Sequence, residues 1–276
     1  MFVATDLAAQ IDCAEGRLCS GTAAAIAKLR PEYRTLVLPI AGGEAVFVHA
    51  QSPLNKVIGL GFDGPLKSNE FDRLETEWRS RGEPVRVELS TLAHPSCGEF
   101  LCERGYKLKG FENQLGRPIT DVGSIPSGIA VEPIHNDIDA EIFIDISVTA
   151  FANVDGTGQV ADNPFERKFL KRVLKEAALS PGIKRYLARI DGCPVGAAAM
   201  RVDCKLAQLA GAGTLPEFRR RGVQKALLRQ RLCDAHAAGC ELAVVTTAPG
   251  TRSQENVMRQ GFSLLYARAI LVKSSS

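Results

Sequence analysis

The chain has no apolar run long enough to cross a bilayer: Leu242–Ala248 and Pro194–Met200, among its longest, fall far short of the ~20 residues a span needs. Its first residues, MFVATDLAAQID, have no basic stretch and place Asp6 where an apolar core would have to form, so no export signal is expected and the location is read as cytoplasmic. Charge of one sign is missing too. With 34 Lys and Arg against 31 Asp and Glu the net charge is +3, and neither nucleic acid nor a membrane surface is an expected partner. Any basic site must be local, and one cluster stands out at Arg219, Arg220 and Arg221. The eight cysteines form no C-x-x-C and no paired Cys/His spacing, and the four histidines have no carboxylate at ligand spacing. Reduced thiols and no metal are the expectation. Neither G-x-S-x-G nor G-x-x-x-x-G-K-[ST] occurs, which removes serine-hydrolase and nucleoside-triphosphatase chemistry.

What remains is a globular composition, 45% apolar and 24% charged, in 276 residues, enough for two domains. In the first half, residues 44–50 and 85–89 have the β-branched, alternating look of strands. Between them 69–81 reads as a helix, with Ser68 as N-cap and Gly82 as stop, and a second helix over 97–104 precedes a strand in YKLKGFENQL. The Gly, Pro and Ser of residues 116–128 mark a linker. The expected domains are therefore 1–120 and 125–276.

The second half opens with a strand near 129–133 and a helix over 137–151 capped by Asn136, with Asp137 and Asp139 in its first turn where carboxylates favour the helix dipole. A basic amphipathic helix is expected over 164–177. Strands at 184–190, 195–202 and 206–213 form a meander turned at Asp191-Gly192. A loop, a helix over 223–238 ended by Gly239, a strand over 242–247, a short helix over 253–260 and a strand over 264–272 complete the chain.

An internal repeat follows. Residues 87–106 lie over 243–262 without a gap, matching strand, turn, short helix and Gly-aromatic pair, with Thr91/Thr247, Glu99/Glu255 and Gly105/Gly261 identical. Upstream, Gly82 and Gly239 each end a helix, and Gly59/Gly61 correspond to Gly211/Gly213 at a strand end. Two tandem domains of one fold are inferred.

LAGAGTLPEFRRRGVQKALL, residues 209–228, joins a strand to a helix through three arginines and a glycine. The first amides of a helix have no intrahelical acceptor and its N-terminus carries partial positive charge, so such a turn can cradle a phosphate, with Gly222 permitting close approach and Arg side chains adding charge-assisted bonds. In these residues the chain resembles the GNAT superfamily of acyl-CoA-dependent N-acyltransferases. Its pyrophosphate loop reads Arg/Gln-x-x-Gly-x-Gly/Ala; here the match is Arg219-Arg220-Arg221-Gly222-Val223-Gln224, with Gln224 departing at the last position. The resemblance runs over about 130–272.

It implies an α/β fold of two tandem GNAT-like domains, each a mixed, mostly antiparallel sheet flanked by helices, the first a degenerate copy without a cofactor loop. It implies transfer of an acetyl group from acetyl-CoA, as co-substrate, to a primary amine by direct attack. Acetyl-CoA would lie along Gly213, Thr214 and Leu215, with its pyrophosphate at Arg219, Arg220, Arg221, Gly222, Val223, Gln224 and Lys225, and Asn256 contacting its arm. Where the family usually has a tyrosine acid, five residues before the Phe of the Gly-Phe pair, this chain has Val257. Tyr266 is then the candidate acid and Glu217 the nearest candidate base, a position that also suits a solvated surface residue. The implied partner is an amine, a small molecule ahead of a protein, and a second copy of the chain is a candidate partner.

Two other readings stand beside this one. The missing tyrosine suits a non-catalytic acyl-CoA-binding sensor. Gly59-Leu60-Gly61-Phe62-Asp63-Gly64, with Glu83 downstream, spells a dinucleotide fingerprint and suits a nicotinamide-dependent oxidoreductase, although Pro65 and Ser68 delay the helix that should open within the glycines.

Overall fold

The computed structural model describes residues 3–120, 122–153 and 167–274. It divides into two compact units, Met1–Gln114 with Leu179–Pro181 and Leu264–Ser276, and Leu115–Ala178 with Gly182–Ser263. This corrects the contiguous division at 1–120 and 125–276, because the C-terminal strand belongs to the first unit.

Unit 1 begins with α1 (Thr5–Leu29), a 25-residue helix in a stretch to which sequence patterning assigned no element. A hairpin of β1 (Leu36–Ile40) and β2 (Gly43–Phe47) follows, then β3 (Lys56–Ile58), α2 (Ser68–Arg79), β4 (Val85–Ser90), α3 (Ser96–Glu103) and β5 (Lys107–Pro118). The N-cap of α2 is Lys67, not Ser68, and makes no side-chain capping bond. Strands β1 to β4 neighbour one another in sequence order, β3 parallel to β4, and β11 (Ser263–Lys273) pairs antiparallel with β4 from Arg268↔Ser90 to Lys273↔Val85.

Strand alternation sorts the two faces of this sheet. Val85, Val87 and Leu89 of β4 pack with Phe71, Leu74 and Trp78 of α2 and Leu101 of α3 in one apolar core. The opposite face, toward α1, is charged. There the buried Arg268 donates to Asp12 (2.6 and 2.9 Å) and to Glu15 (2.5 Å), while Lys56 bridges Glu15 (3.0 Å) and Glu88 (2.9 Å).

Unit 2 takes Leu115–Pro118 of β5 and continues with β6 (Ala130–Pro133), α4 (Asp137–Ala152), α5 (Arg167–Ala177), β7 (Ile183–Ile190), β8 (Cys193–Asp203), β9 (Leu206–Thr214), α6 (Val223–Ala237), β10 (Leu242–Thr247) and α7 (Arg252–Met258). Asn136 caps α4 by accepting from Asp139 N–H at 2.8 Å. The β7–β8 turn carries Asp191 at φ 50° and Gly192 at φ 79°, the two positive angles a tight hairpin demands. Expected helix positions 164–166 lie outside the described residues; the remainder of that helix forms as α5. In this unit β6, β7, β8 and β9 are successive antiparallel neighbours and β10 lies parallel to β9. Helices α4 and α5 cover one face and α6 the other.

The repeat is visible in the caps. Gly105 (φ 86°) and Gly261 (φ 85°) end α3 and α7 with equivalent bonds, Tyr106 N–H to Leu101 O and Phe262 N–H to Val257 O. Gly82 and Gly239 do the same after α2 and α6, through Glu83 N–H to Trp78 O and Cys240 N–H to Ala235 O. The last strands are exchanged: β4 takes β11 as its neighbour, and unit 2 takes the end of β5, where Ile119 N–H bonds Glu241 O. The residues read as a linker accordingly start inside a strand, since Gly116–Pro118 extend β5.

Candidate acyl-CoA site

In unit 2 the parallel pairing of β9 with β10 covers Leu206↔Leu242 to Gln208↔Val244, yet β9 runs on to Thr214 and β10 to Thr247. Beyond those pairs the ladder between the two strands ends among the described residues. On its other side β9 bulges: between Ala197↔Gly213 and Ala199↔Ala210, β8 contributes Ala198 and β9 both Gly211 and Ala212. Gly211 has φ 55°, the left-handed angle for which a bulge of this kind selects glycine.

After β9 the chain turns through Pro216–Phe218 and Arg219–Gly222 into α6. Arg220 (φ 62°) and Gly222 (φ 85°) are both left-handed. The N-cap Gly222 offers no side-chain cap, the first turn of α6 contains no acid, and the first helical bond runs from Ala226 N–H to Gly222 O. The amides of Val223, Gln224 and Lys225 thus precede the helical ladder, in the positive field of the helix end.

Two buried hydroxyls belong to this region. Thr214 lies across from Gly196, whose position faces Val223 and Leu227 of α6, so Thr214 shares that face. Thr247 continues the Ala243 and Val245 row of β10, which packs in the same core. Neither Thr214 Oγ1 nor Thr247 Oγ1 has a hydrogen-bond partner among the described residues. A buried hydroxyl left so is costly unless something else satisfies it.

Residues 150–262, less than half of the chain, match the family model of the acetyltransferase (GNAT) family. Those residues carry a GNAT acetyltransferase domain. In fold the chain is similar to a GCN5-related N-acetyltransferase from Kribbella flavida, with TM-score 0.63 and 19% identity over 92% of this chain and 95% of that one. It is also similar to a tandem GNAT protein from the clavulanic acid biosynthesis pathway, solved without AcCoA, with TM-score 0.61 and 11% identity over 85% and 79%. No curated protein matches the sequence.

Within the GNAT domain the expected residues divide into those free to meet a ligand and those already engaged. Arg220 and Arg221 are exposed, and Arg221 stacks over Phe218 at 5.3 Å. Gln224 and Lys225 are exposed on the first turn of α6, and Asn256 is half-buried on α7. Arg219, expected on the pyrophosphate, donates instead to the carbonyls of Ala150 and Asn153 at the end of α4, whose partial negative charge attracts a cation. Gly213 is small because a Cβ there would sit 2.6 Å from that of Ala150. Leu215 packs on the α4 layer and its N–H bonds Val195 O, while the Val223 side chain lies in the core. Of Gly213 and Val223, therefore, only the backbone can serve a ligand.

The two candidate catalytic residues fare differently. Tyr266 belongs to unit 1, where its buried hydroxyl donates to Asp12 Oδ1 at 2.5 Å. Burial and the neighbouring Asp12 carboxylate push its pKa far up, so Tyr266 is a structural residue of unit 1 and not the acid expected from the sequence. Glu217 is an exposed carboxylate in the turn before α6, with a solvated rather than a catalytic setting. The glycines of the fingerprint at 59–64 also find a structural reason. Gly61 N–H bonds Ala41 O, Gly61 O accepts from His94 N–H, and a Cβ on Gly61 would meet Cys97 Sγ at 2.6 Å. Since α2 starts only at Ser68, no helix N-terminus opens among these glycines and the oxidoreductase reading falls.

Thr247 was not singled out for this site by its sequence, although the repeat had aligned it with Thr91. Only its burial beside an opened strand edge distinguishes it from any strand threonine. No group of three or more His, Cys, Asp or Glu that could hold a metal occurs among the described residues, and no helix there is long and apolar enough to cross a membrane.

Proposed function

We propose that the protein is an N-acetyltransferase that moves the acetyl group of acetyl-CoA directly to a primary amine. The observation that carries this reading is the entry of α6: free first-turn amides, a left-handed Gly222 and two exposed arginines, with no acid in the first helical turn. Such a helix entry suits a diphosphate. The donor supplies a thioester that an amine can attack with loss of CoA thiolate. Arg220, Arg221, Gln224 and Lys225, with the amides of Gly222 and Val223, would hold its diphosphate. The parted edges of β9 and β10, with Thr214 and Thr247, offer backbone and hydroxyl partners for the polar arm, and Asn256 lies on the next helix.

Among the described residues no side chain of the GNAT domain stands out as a dedicated base or acid, and an amine that arrives unprotonated needs neither to attack a thioester. The small-molecule amine remains ahead of a protein amine as acceptor, in a cytoplasmic setting. Unit 1 acts as a degenerate partner domain without a cofactor site. The test is calorimetric titration with acetyl-CoA, CoA and NADH, followed by an amine panel read through thiol release. Acetyl-CoA binding with turnover of an amine supports the proposal. Binding without turnover on any amine would turn it into an acyl-CoA sensor, and no CoA binding would sink it.

A further inference from the structure

Helix α6 packs its inner face through Val223, Leu227, Leu228, Leu232 and Ala235, and within that apolar stripe stands Arg231, 4% exposed. No carboxylate pairs with it among the described residues. Its guanidinium is bonded to carbonyl oxygens: Nε to Leu227 O at 3.1 Å, and Nη1 to Ala199 O at 3.0 Å and Ala210 O at 3.4 Å. Ala199 and Ala210 are the cross-strand pair that borders the β9 bulge. Burial pushes the guanidinium down to about 10, the response of a cation held away from both water and a counter-charge.

The fold does not require an arginine there. The cap bonds that equate Gly82 with Gly239 and Trp78 with Ala235 also equate Leu74 of α2 with Arg231 of α6. Leu74 is 1% exposed and fills the same helical position in unit 1 with an ordinary apolar side chain. A leucine satisfies the packing without burying a charge, so the arginine answers to something else. What unit 2 has at that point is a bulge in the strand leading to Thr214 and the α6 turn.

Resting on the acyltransferase reading above, we propose that Arg231 is a positioning residue for acyl transfer: by joining the Ala199 and Ala210 carbonyls at the border of the bulge, it holds Gly211–Thr214 in the bent course along which the acyl donor lies. It touches no substrate and acts through the β9 backbone. A donor bound a fraction of an ångström out of line still binds by its diphosphate but reacts slowly, so the signature is in turnover rather than affinity.

The experiment compares the wild-type chain with Arg231→Leu, Arg231→Lys, Gly211→Ala and the Arg231→Leu/Gly211→Ala double variant, using acetyl-CoA and the amine that the wild type acetylates. Thermal melting checks folding, calorimetry with CoA reads the diphosphate site, and steady-state kinetics separate kcat from KM. Expected for Arg231→Leu is cooperative melting, CoA affinity within about threefold of wild type and kcat reduced about 100-fold, with Arg231→Lys restoring a substantial part of the loss. Gly211→Ala should lower kcat as well, and the double variant should lose no more than Arg231→Leu alone, because both act on one bulge. If kcat of Arg231→Leu stays within about threefold of wild type, or if the two losses multiply, the proposal is overturned. Should Arg231→Leu fail to fold, Arg231→Met carries the test, and a kcat within about threefold of wild type there overturns the proposal equally. Failure of wild type to bind acetyl-CoA or to acetylate any amine is a different result, since it removes the transferase reading itself.

Discussion

Unit 1 and unit 2 reach the same point by the same path, a hairpin, a parallel strand pair with a helix between, and a glycine cap, and differ where the helix begins. In unit 2, α6 opens on Gly222 in the left-handed region behind three arginines, with no acid in its first turn. In unit 1, α2 opens on Lys67 and Ser68 and carries Glu70 in its first turn, where the carboxylate accepts from Ala41 N–H at 3.1 Å. One helix end therefore presents unfilled donors and positive charge, and the other holds its own anion. A shared scaffold thus says little about ligand binding; a handful of residues at one turn decides it.

The interiors differ as well. Unit 2 packs α4 on its sheet through Phe143, Ile144, Ile146, Val148, Leu187 and Ala197. Unit 1 places Asp12, Glu15, Lys56, Glu88 and Arg268 in the layer between α1 and its sheet. The exchanged strand β11 brings Arg268 into that layer, which gives the C-terminus an ionic anchor that an apolar strand would not have.

The largest test of this contrast is Arg268→Met, which strands Asp12 and Glu15 without their guanidinium and should cost about 3–5 kcal/mol in denaturant unfolding. A loss below about 1 kcal/mol would mean that the network is not what holds β11. Next, Gly222→Asp adds a negative charge and a Cβ at φ 85°, and should weaken acetyl-CoA binding about 100-fold by calorimetry. Glu70→Gln in unit 1 should leave that affinity unchanged; a change there would break the division of labour between the two helix ends. Arg221→Ala is expected to weaken binding about tenfold, with a smaller salt dependence than wild type, as loss of one exposed charge-assisted contact predicts.

The smallest effect concerns pH. Burial pushes the Glu75 carboxyl up, but hydrogen bonds from Arg104 and Lys273 outweigh it and hold it below its ordinary 4.5. A depressed carboxylate contributes stability that is present above its ordinary value and lost as pH falls toward its folded one. Glu75→Gln should therefore flatten the acid limb of the stability curve below about pH 4.5. By the cap alignment Leu232 of unit 2 stands where Glu75 stands, so this contribution has no counterpart at that position of unit 2, and an unaltered acid limb in Glu75→Gln would contradict the assignment to Glu75.

Local signals carried most of the elements. Period-two and helical patterning, the glycine stops at 82, 105, 239 and 261, and the Asn136 cap mark where strands and helices begin and end, because each is decided by neighbours in the chain. The turn at Arg219–Gly222 was legible for the same reason: a strand end, a left-handed glycine and a helix start are contiguous. The 25-residue α1 was not, since its small residues and its inward Asp12 and Glu15 give no clean apolar stripe.

The two repeats, the arginine turn that opens α6 and the family that this turn resembles could be read from the amino-acid sequence, because all of them rest on residues close in the chain. Folding alone settles which strand completes which unit, that Arg219 bonds the end of α4, that Tyr266 answers to Asp12, and that Arg231 sits at a bulge rather than in solvent. Each of these is a pairing between residues tens to hundreds of positions apart, and burial, charge compensation and hydrogen bonding at that range leave no periodicity to read.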